Sequence, residues 1–115
     1  LIVDVKPIVA GYDYQIVQFH GEFDKAGFSE IKSKIDSLVK DFNAKALVFD
    51  FTDLKFINSE GIGYLMEVHT HLVQMDHQFA IIGLNEHVKD IFDAVGITVI
   101  VSTYKVLDDF LNEMK

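Results

Sequence analysis

The clearest potential for chemistry lies in the stretch Phe-Ile-Asn-Ser-Glu-Gly-Ile-Gly at residues 56–63. It comes after an apolar run typical of a buried strand and before apolar positions that recur at helical spacing. The start of a helix leaves backbone N–H groups free and carries partial positive charge. We therefore expect Asn58 or Ser59 to cap a helix, and Glu60 suits the first turn of that helix.

The two glycines of this stretch need a reason of their own. Gly63 inside a helix costs about 0.5–1 kcal/mol of stability relative to Ala. In one hypothesis, Gly61 and Gly63 let the backbone of another protein approach an exposed Ser59. In the other, the start of the helix packs tightly against its neighbours. Spacing alone does not decide between the two hypotheses.

The common catalytic motifs are not formed around Ser59. A nucleophile elbow needs Gly two residues before the serine, and residue 57 is Ile. The pattern Gly61-Ile62-Gly63 lacks the further glycines of a dinucleotide site and the Lys of a P-loop. We therefore predict a protein that is not an enzyme, with no catalytic residue and no cofactor of its own.

Metal and phospho-aspartate sites are also disfavoured. The chain has no cysteine, and His69 and His71 are two apart on a predicted helix, so they point in different directions. We expect no metal site. A receiver domain would need an acidic pair after an earlier parallel strand, and none is present. Asp50 and Asp53 are expected to cap turns or to face solvent.

Alternating strand and helix patterns predict the elements that must position Ser59. Strands at residues 2–5 and 14–20 are expected to form a hairpin. Asp24 is expected to cap the first helix, and Gly96 to end the third. Further strands are predicted at residues 46–49, 79–82 and 98–101, and residues 50–58 are expected to connect a strand to a helix. Helices are predicted along residues 31–42, 59–73, 88–95 and 107–114. This order predicts an α/β fold in which an N-terminal hairpin leads into a mostly parallel sheet with about four helices.

Composition limits the class of partner. A chain of 115 residues with 50% hydrophobic residues is expected to form a single domain over residues 1–115. The formal charge is −8 and all ten basic residues are Lys, so nucleic acid and anionic lipid are poor partners. Other proteins are the expected partners. The absence of cysteine fits a cytoplasmic location.

Three stretches together resemble the STAS domain, and within it the bacterial anti-sigma factor antagonists, also called anti-anti-sigma factors. These are residues 21–24 after a strand, residues 47–54, and residues 56–63. The typical motif of the antagonists is Asp-Ser-Ser-Gly-Leu-Gly, in which the first Ser is phosphorylated. Ser59 falls on that position, Asn58 replaces the preceding Asp, and Glu60 replaces the second Ser.

The resemblance implies a phosphoprotein that regulates transcription in bacterial signal transduction. Unphosphorylated, it would bind a serine-kinase anti-sigma factor that holds the ATP; phosphorylation of Ser59 would release this partner, and a serine phosphatase would reset the site. The free protein would be a monomer. The partner-binding surface that the resemblance implies consists of Asp24, Asn58, Ser59, Glu60, Gly61, Ile62 and Gly63.

The departures from the antagonist motif at Asn58 and Glu60 keep an alternative open. The domain could be a STAS scaffold or interaction subunit that does not switch, in a signalling assembly or a membrane transport system. In that case Ser59→Asp would change partner binding little.

Overall fold

A computed structural model describes residues 1–114 of the protein. We number its strands and helices along the chain. The strands are β1 (Ile2–Val5), β2 (Tyr14–Phe23), β3 (Ala46–Ile57), β4 (Gln78–Ile82) and β5 (Ser102–Tyr104). The helices are α1 (Lys25–Lys40), α2 (Ser59–Gln74), α3 (Glu86–Val95) and α4 (Leu107–Met114), with a short 3-10 turn at Ile97–Val99.

The five strands form one sheet in the order β1-β2-β3-β4-β5. Strands β1 and β2 are antiparallel, and each later pair is parallel. The predicted hairpin and the mostly parallel α/β sheet with four helices are therefore confirmed. Because β2, β3, β4 and β5 run in one direction, their carboxyl ends lie at one end of the sheet.

Each face of the sheet carries its own apolar layer. On one face, α1, α2 and α3 pack against a large core that includes Phe19, Phe49 and Phe51. On the other, α4 inserts Phe110 against Val48 and its neighbours. Residues 46–49 are fully buried, as predicted for a strand covered on both faces. Within residues 1–114, no helix is both long and apolar enough to cross a membrane.

Strand β3 is longer than predicted. Residues 50–58 were expected to connect a strand to a helix, but β3 continues through Ile57. The reason is tertiary: β2 runs on to Phe23 and pairs with β3 along its whole length, ending with Phe23 opposite Ile57. The polar residues Thr52, Asp53 and Lys55 of this part are exposed and do not alternate regularly with the apolar ones, so neither a continuous apolar run nor a clear alternation marks the strand.

The prediction of a strand at residues 98–101 is wrong. Gly96 adopts a left-handed conformation that ends α3, as predicted, and the chain then makes its 3-10 turn. Ile97 and Val101 are buried and anchor this turn at both ends. The strand itself, β5, begins at Ser102, where it can pair with Ala80 of β4.

Candidate functional site

Two helices begin side by side at the carboxyl ends of β2 and β3. Phe23 and Ile57 are paired across these strands, and the next residues, Asp24 and Asn58, are the N-caps of α1 and α2. The backbone N–H of Asn58 donates to the Phe23 carbonyl oxygen at 3.0 Å, which fixes the two caps at neighbouring positions. The pairing of the strands therefore brings two helix N-termini to one place.

Both caps use the same hydrogen bond. Oδ1 of Asp24 accepts from the backbone N–H of Gly27 at 2.8 Å, and Oδ1 of Asn58 accepts from that of Gly61 at 2.8 Å. Each bond satisfies one N–H that a helix start leaves without an intrahelical acceptor. The prediction that Asp24 caps a helix is confirmed, and Asn58, not Ser59, is the cap of α2.

Ser59 is the first residue of α2 and is exposed, as is Glu60 after it. At this position the backbone N–H groups of the first turn point out of the helix, and the partial positive charges of α1 and α2 add up. An anion attached to Ser59 would thus meet a favourable field. Glu60 already places one negative charge there, as expected of an acid in the first turn.

The two glycines of the motif have different surroundings. A Cβ added to Gly61 would lie 2.7 Å from Cδ1 of Phe23 and 2.8 Å from Cγ1 of Ile57. A Cβ added to Gly63 would meet nothing within 4 Å. Gly61 therefore lets α2 approach the ends of the two strands, whereas packing gives no reason for Gly63.

Two members of the predicted partner surface are not exposed. Gly61 and Ile62 are both buried, and Ile62 belongs to the main core. Their places are filled by the packing of the domain itself, so an approaching protein cannot use Gly61 as an opening. The exposed members of the expected surface are Ser59, Glu60 and Gly63, with Asp24 and Asn58 half-buried beside them.

A contact joins α1 to α2 beyond their capped ends, and sequence reasoning did not find it. The hydroxyl of Tyr64 donates to Oδ1 of Asp36, whose other oxygen pairs with Lys32. Hydrogen bonds from Lys32 and Tyr64 hold the pKa of Asp36 below its usual range. Burial, and then the bond to Asp36, raises the pKa of Tyr64 far above its usual range. The two residues are 28 apart in sequence, so no local pattern could have paired them.

The sequence predicted the third helix at this end of the sheet but not the residue that caps its start. Asn85 caps α3 through a bond from the Val88 N–H at 2.8 Å. Its Nδ2 also donates to the carbonyl oxygen of Leu54 at 2.9 Å and so joins α3 to β3. An Asn just before an apolar helical pattern was the available signal.

The remaining candidates stay apart from Ser59. Oδ1 of Asp50 accepts from the N–H and hydroxyl of Thr52, and Asp53 lies 3.0 Å from the ring of His20. Asp50 therefore makes a local turn contact, as expected, whereas Asp53 is exposed and also pairs with His20 on the neighbouring strand. Across residues 1–114, no group of three or more His, Asp or Glu side chains is arranged to hold a metal ion.

Comparison with known proteins identifies the class of domain. The family model for the STAS domain matches residues 6–110, and the chain therefore belongs to the STAS domain family. Its two capped helix starts at the ends of paired strands lie inside the matched region.

Solved structures share this fold at low sequence identity. An anti-sigma factor antagonist from Mycobacterium paratuberculosis has a TM-score of 0.81 at 20% identity, covering 98% of this chain and 94% of that one. An anti-sigma-factor antagonist (STAS) domain protein from Planctomyces limnophilus has a TM-score of 0.82 at 14% identity, covering 98% and 97%. The Bacillus cell fate determinant SpoIIAA, in its phosphorylated form, has a TM-score of 0.69 at 13% identity, covering 99% and 100%.

Proposed function

We propose that this STAS domain is a cytoplasmic protein-binding switch of the anti-sigma factor antagonist class. In its unmodified form it binds a serine-kinase anti-sigma factor through the exposed start of α2. Phosphorylation of Ser59 by that partner, which holds the ATP, releases it, and a serine phosphatase restores the binding form. The domain itself supplies a surface and a phosphoacceptor, and no catalytic group.

The observation that carries this proposal is the position of Ser59. It is exposed, it is the first residue of a helix, and it lies one turn from Gly63, which has open space around it. A kinase must bring its active site to the serine hydroxyl, and the missing side chain at residue 63 leaves room for that approach. The SpoIIAA structure supports the idea, because it is a phosphorylated protein of the same fold.

The physical effect of the phosphate follows from its charge. A phosphate adds about −1.5 to −2 charge and three acceptor oxygens. The adjacent N-termini of α1 and α2 favour that anion, so the domain stays folded. The interface changes instead, through bulk and through the cost of desolvating the dianion. A loss of about 3 kcal/mol there weakens binding more than a hundredfold.

One observation favours a second candidate, a STAS scaffold or interaction subunit without a switch. Glu60 is exposed next to Ser59 and keeps a negative charge at the site whether or not the serine is modified. Repulsion from this carboxylate opposes the addition of a dianion. In that case the same surface would bind its partner constitutively.

Affinity purification from the native cells separates the two candidates. Tagged wild-type, Ser59→Ala and Ser59→Asp proteins are compared by quantifying the kinase that co-purifies with each. The switch predicts retention by Ser59→Ala and loss by Ser59→Asp. Ser33→Asp is the matched control, because Ser33 is an exposed serine in the middle of α1. Equal recovery with Ser59→Asp and wild type would refute the switch and favour the scaffold.

A further inference from the structure

Exposed apolar side chains are concentrated at the end of the sheet opposite Ser59. Of the ten large apolar residues that are exposed within residues 1–114, eight lie in segments that lead into the amino ends of parallel strands. Ser59 instead follows the carboxyl end of β3. The eight are Ile8, Val9 and Tyr12 before β2, Val73 and Met75 before β4, and Val95, Val99 and Ile100 before β5.

The last three of these residues, Val95, Val99 and Ile100, form what we call the apolar knob. Their exposed fractions are 56%, 88% and 50%. The backbone of the knob is hydrogen-bonded: Gly96 caps α3, and the N–H groups of Val99, Ile100 and Val101 donate back to residues 96 and 97. A hydrogen-bonded turn therefore exposes three apolar side chains to water, which is the kind of surface that marks an interaction site.

The amino acids of the knob conflict with its conformation. Valine and isoleucine favour strands and buried positions, yet here they stand in and around a 3-10 turn. The chain buries Ile97 and Val101 and leaves Val99 outside. A disagreement between local preference and structure is expected where a residue serves function at the expense of stability.

The charges around the knob are negative. The last turn of α3 contains no basic residue, so the partial negative charge of its C-terminus is not offset there. Asp90 and Asp93 are exposed on the same helix, and the nearby cation, Lys89, is paired with Asp93 at 3.1 Å. A second copy of this chain would bring a like-charged rim against this one, and a net charge of −8 opposes anionic membranes.

We propose that the apolar knob docks a protein partner that has an apolar face flanked by Lys or Arg. This goes beyond the switch at Ser59, since the two surfaces lie at opposite ends of the parallel strands. One domain can then hold its docked partner while the other end binds and releases a kinase. The knob supplies apolar contact, and the acidic end of α3 supplies complementary charge.

The test is an NMR titration of the 15N-labelled protein with two synthetic peptides. One is an amphipathic helix of Leu and Lys, and the other has Ser in place of each Leu, with the same charge. The Leu/Lys peptide is expected to shift the amides of residues 95–101, and Val99→Ser to weaken this binding about tenfold. Val106→Ser is the matched control, because Val106 is an exposed valine beyond the other end of β5.

Several results would overturn the proposal. They are equal shifts from both peptides, shifts confined to other residues, or unchanged affinity in the Val99→Ser variant. Sedimentation showing a dimer that Val99→Ser dissolves would identify a second copy as the occupant instead. Binding to phosphatidylglycerol vesicles that Val99→Ser abolishes would identify a membrane. Ser59→Asp should leave peptide binding unchanged, so failure of the switch and failure of the docking surface are distinguishable.

Discussion

Replacing each motif glycine by alanine should have opposite effects on stability. At Gly61 the new methyl group would lie 2.7 and 2.8 Å from side-chain carbons of Phe23 and Ile57. These two residues are only 0% and 1% exposed, so neither can move aside into solvent. Overpacking of this kind costs about 1–3 kcal/mol, and the gap is short enough to expect the upper half of that range. The higher helix propensity of Ala offsets about 1 kcal/mol of this loss in stability.

The net expectation for Gly61→Ala is a loss of about 1–2 kcal/mol in the free energy of unfolding. Gly63→Ala meets open space, so only the propensity term applies, and the variant should gain about 0.5–1 kcal/mol. The melting temperatures of the two variants should then differ by roughly 8 °C for a domain of this size.

The stability of the two variants is measured by thermal and urea unfolding, with circular dichroism as the signal. Two variants of equal stability would refute the assignment of Gly61 to packing. The binding assay adds a second comparison. Gly63→Gln should stay folded but lose partner binding, because the glutamine side chain would fill the open space through which the kinase approaches Ser59. Full binding by Gly63→Gln would refute that use of the open space.

Three further changes test the contacts that build the site. Tyr64→Phe should lower the free energy of unfolding by about 1 kcal/mol at pH 7, because it removes the bond to Asp36. Since folding raises the pKa of Tyr64, the stability that wild type gains over the variant is present below pH 10 and declines above it. A stability difference that stays constant up to pH 11.5 would contradict the contact. Asn58→Ala should destabilise by about 1 kcal/mol in urea titration, whereas Asn58→Asp, which keeps the cap, should match wild type. Asn85→Ala should lower the free energy of unfolding by about 2 kcal/mol, since it removes a cap and leaves the Leu54 carbonyl without its donor. Asn85→Asp restores the cap but not the bond to Leu54, so its stability should lie between those of Asn85→Ala and wild type. An Asn85→Asp variant as stable as wild type would argue against the bond to Leu54.

Much of the fold could be predicted because local and tertiary preferences agree. Residues 46–49 form a continuous apolar run and are buried on both faces, and the apolar stripe of Ile31 and Ile35 faces the core. Polar N-caps and Gly96 mark helix ends that the structure confirms. In each case the signal lies within a few residues of the feature it predicts.

The errors arose where distant pairing decides the structure. The far half of β3 is a strand because β2 extends beside it, and its own residues alternate too irregularly to show this. At residues 98–101, four residues of high strand propensity were available, but only β5 from Ser102 onward meets the edge of β4. Strand propensity describes a half-buried neighbourhood, and the sequence does not report which neighbourhood a segment will have.

The candidate site likewise has one part that the sequence predicts and one part that depends on distant pairing. The position of Ser59 at a helix start follows from the apolar patterns on either side of it, and the structure agrees. The different environments of Gly61 and Gly63 could not be predicted, because they depend on Phe23 and Ile57, which strand pairing brings beneath only one of the two glycines.

The most direct test of the switch is phosphopeptide mass spectrometry on the protein isolated from its own cells under two growth conditions. The proposal predicts phosphate on Ser59, with an occupancy that changes between the two conditions. Ser33, which is also exposed but lies in the middle of α1, should stay unmodified. An unmodified Ser59 under both conditions would contradict the switch and favour the second candidate, in which the end of the domain that carries Glu60 binds its partner constitutively.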